Sequence, residues 1–169
     1  MNADSNLRRV AIAALLACAF AAPAAAQQGT FTVKMMTPET AAKAADAALK
    51  ACRAEGYQVA VAIVDRAGTL QSLIRDRFAG PHTVEIATNK AWTAVTLRQD
   101  TLSLARLSES GEMSGLRHFP RIVAVGGGIA VEAGGGILGG IGVSGAPGGA
   151  ADAKCAQAGI DAIVDDLEF

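Results

Sequence analysis

The chain has 169 residues, 15 basic and 16 acidic, for a net charge of −1; 51% of it is apolar and only 4% aromatic. Without a basic stripe or a block of like charge, nucleic acid is argued against as a partner. Alanine and glycine dominate the composition, so a core of small side chains gains from close backbone approach and from association with further copies of the chain.

The first 26 residues read as a cleavable export signal. Arg8 and Arg9 are followed by the apolar run from Val10 to Ala22, and Ala24, Ala25 and Ala26 precede Gln27. That run is too short and alanine-rich to span a membrane. Leu15 to Cys18 resembles a lipoprotein cleavage box, so a lipid anchor on Cys18 is the alternative. Cleavage after Ala26 leaves one domain, residues 27–169, expected in the periplasm or secreted. It also leaves two cysteines, Cys52 and Cys155, which in an oxidising compartment form a disulfide or pack as small buried thiols.

Thr37-Pro38-Glu39 opens a helix whose Ala41, Ala45, Ala48, Leu49 and Cys52 share one face, and Gly56 stops it. Tyr57 to Val64 reads as a central strand, Asp65 to Gly68 as a turn, and Thr69 to Ile74 as the returning arm of a hairpin. A second helix follows His82, with Val84, Ala87, Ala91 and Val95 buried, Trp92 alongside and Lys90 toward the outward side. Asp100-Thr101 caps a shorter helix ending near Ser110. Gly111 to Pro120 reads as loop, Arg121 to Val125 as a strand, and Gly149 to Leu167 as a last helix with Cys155, Gly159, Ile160, Ile163 and Leu167 inward. The expectation is an α+β domain with a mainly antiparallel sheet.

Gly126 to Gly149 holds twelve of the nineteen glycines, with Ile and Val returning between them. That pattern predicts two or three short strands joined by tight turns rather than a flexible linker. Gly140, Gly142 and Gly145 spell G-x-G-x-x-G, but too few residues follow to complete a dinucleotide-binding unit, and the motif falls within a strand. Ser144 lacks the turn of a nucleophile elbow and reads as structural.

His82 follows a proline at a helix start, near Arg75, Arg77 and Lys90. Imidazole suits iron, and guanidinium or ammonium groups suit haem propionates; a surface histidine at a helix start is the plainer reading. His118 has the same ambiguity, and Thr101 is by itself an N-cap neighbour. Asp65, Asp76 and Glu85 read as solvated turn and helix surface.

Several blocks in order then carry a resemblance. They are Val61 to Gly68 (VAIVDRAG), Ala79-Gly80-Pro81, Lys90 to Val95 (KAWTAV), Gly126 to Ile129, and Ile141 to Gly149 (IGVSGAPGG) with Asp152, Ala156, Ala158 and Gly159. Over residues 36 to 165 the chain resembles the GlcG/HbpS family of haem-binding proteins. The resemblance implies a profilin-like domain with a five-stranded antiparallel sheet flanked by helices, assembled into homo-oligomers. It implies haem as the ligand, and a role in sequestration, delivery or redox sensing with a sensor partner, without turnover of its own. Thr101 matches the iron-ligating threonine of a secreted member, and other members use histidine, so His82 and Thr101 are the axial candidates. Arg75, Arg77 and Lys90 would meet the propionates, with Trp92 or Phe78 against the ring. The first and last helices of such a domain lie side by side, which implies a Cys52–Cys155 disulfide. The alternative function is an enzyme or accessory that binds small hydroxy- or oxo-acids such as glycolate at the glycine-rich turn, assisted by Arg117 and Arg121.

Overall fold

The first helix, α1 (Pro38–Ala54), begins where Thr37 Oγ1 accepts the Thr40 N–H at 3.2 Å and proline takes the first helical position. Its buried stripe is almost all alanine, ending in Leu49 and Cys52. The computed structural model describes residues 29–167, so the export signal expected over 1–26 and the Cys18 alternative lie outside the described residues. Two compact units divide the chain, Met1–Val33 and Lys34–Phe169, and the helices and strands of the described residues all belong to the second.

After α1 come β1 (Ala60–Asp65) and β2 (Leu70–Arg75), an antiparallel hairpin. Its turn is tied by Asp65, whose Oδ1 accepts the N–H groups of Ala67 and Thr69 at 2.8 and 2.9 Å. Then follow α2 (His82–Leu97), α3 (Thr101–Leu107), a 3-10 turn at Glu112–His118, β3 (Gly128–Ala133), β4 (Gly136–Ser144) and α4 (Gly149–Asp161). A last 3-10 turn covers Val164–Leu167.

The sheet order is β2-β1-β4-β3, antiparallel throughout. Alternation along β1 sorts its side chains between two layers. Val61 and Ile63 join Ile141 and Val143 of β4 in a core covered by α1 and α4. Ala60, Ala62 and Val64 face α2 on the other side. The helix α2 settles close to the sheet because the middle of β4 faces it with glycine, while Ile137 near the strand's start packs against Ala91 and Val95. A Cβ on Gly142 would collide with the Ala87 carbonyl, and one on Gly140 would stand 2.9 Å from the Ala91 carbonyl. Gly140 and Gly142 of the G-x-G-x-x-G sequence are therefore a helix seat within a strand, whereas Gly145, just past β4, lies close to the backbone of Gln58 and Val59.

The described sheet has four strands, not the five expected. Arg121 to Val125 stays out of it because its backbone bonds elsewhere. The Val123 N–H donates to Thr93 Oγ1 of α2 at 3.0 Å and the Ile122 N–H to the Phe119 carbonyl at 3.1 Å. The expected pairing of the first and last helices is present. Cys52 of α1 and Cys155 of α4 form a disulfide, with Cα atoms 5.4 Å apart across 103 residues of sequence.

Candidate functional site

Between β2 and α2 the chain turns through Asp76 to Pro81, and this turn gathers several of the residues singled out in the sequence. Asp76 anchors it from beneath. Only 1% exposed, its carboxylate accepts Nε and a terminal nitrogen of Arg53 at 2.7 and 3.0 Å, and the Arg77 N–H at 2.8 Å. Asp76 is thus a buried clamp to α1 and not solvated surface. The Arg53 hydrogen bonds, helped by the Arg77 N–H, outweigh burial and hold its carboxyl down at about 2. A guanidinium nitrogen of Arg75 donates back to the Ala79 carbonyl, closing the turn from the other side.

On this braced turn the outward groups are Arg75, Arg77, His82 and Phe78, the last 80% exposed. The His82 imidazole folds over Gly80, where an added Cβ would stand 2.8 Å from Nδ1. An aromatic face, an imidazole and two guanidiniums thus share one short, exposed stretch. Such a set can stack against a flat apolar ring, meet carboxylates at its edge and donate a nitrogen to a metal held in the ring.

The clamp carries a pH dependence. The clamp holds the folded carboxyl at about 2, well below the usual carboxylate range. Its stabilisation is therefore full above about pH 5 and is lost as pH falls through the folded value. Denaturation from pH 5 down to 2 is expected to show wild-type stability declining and Asp76→Asn declining less. Parallel curves would contradict the clamp.

Lys90 is elsewhere. It is 1% exposed, in the middle of the stripe that α2 presents to β4, and so is not on the outward side. Its ammonium donates to Asp152 Oδ2 at 2.7 Å and to the Val143 carbonyl at 3.0 Å, while Asp152 Oδ1 accepts the Ala146 N–H at 2.9 Å. Burial pushes the lysine below its usual range and the aspartate above its own, and the charge of each opposes that shift in the other. Lys90 is committed to that pair and is not available to an exposed propionate.

Thr101 is fully buried at the start of α3. Its hydroxyl accepts the Gly128 N–H at 2.7 Å, and a Cβ on Gly128 would strike both Thr101 and the Lys90 carbonyl. Thr101 and His82 are not brought onto one surface. Trp92 is half-buried and covered: the Arg121 guanidinium lies 4.5 Å from its ring centroid. Arg117 donates to the Ser108 and Ala105 carbonyls at 2.8 and 2.7 Å, so it closes α3 instead of serving the glycine-rich turn. Among the described residues no group of three metal-ligating side chains occurs. No helix there is long and apolar enough to cross a membrane.

Sequence reading assigns no role to Arg53, and it marks Asp152 only within the family resemblance, without its partner Lys90. A signal existed for Asp152: an acidic side chain in the first turn of a helix, and a lysine set among Ala87, Ala91 and Ala94 at helical spacing.

Solved structures of known proteins share this fold. HbpS of Streptomyces reticuli, solved as a double mutant, is 39% identical; 83% of this chain and 96% of that one are covered, with a TM-score of 0.75. Protein ORFY of Klebsiella pneumoniae is 28% identical, with coverages of 80% and 95% and a TM-score of 0.77. PduOC, solved as a complex with haem, is also 28% identical, with coverages of 77% and 96% and a TM-score of 0.71. No curated protein matches the chain at a significant level. The family model described as "Haem degrading protein HbpS-like" matches residues 36–161, and the chain belongs to this HbpS-like family.

Proposed function

We propose that this protein binds haem, or a closely related tetrapyrrole, on the exposed turn between β2 and α2. One observation carries the reading: His82, Phe78, Arg75 and Arg77 are all exposed along one short stretch braced by the Arg53–Asp76 clamp. The haem complex of the related PduOC supports the ligand class. His82 is the iron-ligand candidate that fits, since no hydrogen bond occupies its ring among the described residues. Thr101 would first have to surrender its bond to Gly128. Haem would supply its redox-active iron. The chain would supply an imidazole, a phenyl face and two positive charges at the ring edge, on a surface open to water. An open site suits reversible loading, and with it sequestration, delivery or redox sensing through a partner protein, in the periplasm or outside the cell.

Self-association belongs to the same reading. The stretch from α3 to Val125 exposes Leu107, Met113, Phe119 and Val125, apolar surface that a homo-oligomer would cover.

Titration with ferric haem, followed by absorbance, tests the proposal. A saturable Soret band is expected, with an affinity about tenfold weaker (about 1.4 kcal/mol) in Arg75→Ala/Arg77→Ala. A spectrum that stays that of free haem at every ratio would overturn it.

A further inference from the structure

The other end of β2 carries two cations that neither the haem surface nor the buried Lys90–Asp152 pair employs. Arg66 in the β1–β2 turn and Arg98 just beyond α2 line a depression of about 230 Å³ with Glu132, Gly135, Gly136 and Ile137 of the β3–β4 hairpin. A smaller hollow of about 120 Å³ lies against the same two arginines, Ile137 and Val95. Arg66 is aimed here by one terminal nitrogen, which donates to the Ile137 carbonyl at 2.7 Å and leaves its remaining donors unused. Neither arginine makes an ion pair among the described residues, nor does Glu132. The floor is open: a Cβ on Gly135 would meet nothing within 4 Å, and one on Gly136 only Arg66, at 3.9 Å.

Arg98 adds a second, independent observation. With φ +51° it is the only non-glycine residue at positive φ among the described residues. It closes α2 in the left-handed conformation, where its N–H reaches the Ala94 carbonyl, a position glycine ordinarily fills. An arginine at such a place accepts backbone strain and in return sets a guanidinium at the lip of the depression.

We propose that this depression binds a small oxyanion, a carboxylate or a phosphate, between Arg66 and Arg98. Guanidinium groups match both by paired N–H donors. The backbone of Gly135 and Gly136 lets a ligand approach closely, and Glu132 offers an acceptor to a hydroxyl on it. The site is separate from the proposed haem surface, since β2 runs between them.

Calorimetric titration of the purified protein at low ionic strength, with inorganic phosphate and separately with acetate, tests it. Saturable heat is expected from at least one, and the arm that gives it distinguishes phosphate from carboxylate. Arg98→Gly and Arg66→Ala should each weaken that affinity about tenfold or more while haem uptake stays unchanged. Because glycine adopts the left-handed conformation freely, Arg98→Gly should not lower the melting temperature. No heat from either probe would overturn the proposal, as would unchanged affinity in both variants. Loss of haem uptake in these variants would assign the arginines to haem instead.

Discussion

Asp152→Ala is expected to destabilise the protein by about 3–5 kcal/mol, the cost of leaving a buried charge without its partner. Lys90 would keep only the Val143 carbonyl, and the Ala146 N–H would lose its acceptor. The pair joins α2, the end of β4 and the first turn of α4, and it presses on Gly127, where an added Cβ would stand 3.0 Å from the ammonium. One substitution therefore loosens three elements. The double variant Lys90→Met/Asp152→Ala removes both charges and should recover part of the loss, because no charge remains to be solvated. Chemical denaturation of the single and double variants decides it. A single variant within about 1 kcal/mol of wild type would contradict the buried pair.

Opening the Cys52–Cys155 bridge is the second large effect. Closing a loop of 103 residues restricts the unfolded chain, and its loss is expected to cost about 4–5 kcal/mol on the chain-entropy estimate. Cys52→Ser/Cys155→Ser should melt at least ~10 °C lower than wild type. The bridge sits where α1 and α4 approach closely: a Cβ on Gly159 would stand 2.7 Å from the Ala44 carbonyl. Packing alone does not replace the cross-link, because the facing surfaces are alanine and glycine and bury little area. Equal melting temperatures with and without reductant would show that the bridge contributes nothing.

How far the fold was legible follows from what each signal encodes. The start of α1 was readable because a threonine followed by proline caps a helix locally, and the structure has that cap. The hairpin turn was readable for the same reason, through Asp65. The four-strand outcome was not, because an apolar run such as Arg121 to Val125 looks like a strand until a distant side chain, here Thr93, takes its N–H. Lys90 was misplaced because α2 has small residues around much of its circumference. Helical spacing does give the buried face through Ala87, Ala91 and Val95, but Gly140 and Gly142 let that face sit so close to β4 that the neighbouring Lys90 is buried with it. In the candidate site, His82, Arg75, Arg77 and Phe78 were legible together because they are close in sequence. Arg53 was not, because the fold brings it to Asp76 from 23 residues away.

We propose that His82 on the braced turn holds the iron of an exposed haem. Ferric haem titrated into wild type, His82→Ala and Thr101→Ala, with the Soret band as readout, tests it most directly. The expected result is a saturable band in wild type and in Thr101→Ala, and its loss or displacement in His82→Ala. An unchanged band in His82→Ala, or loss in Thr101→Ala alone, would contradict the account.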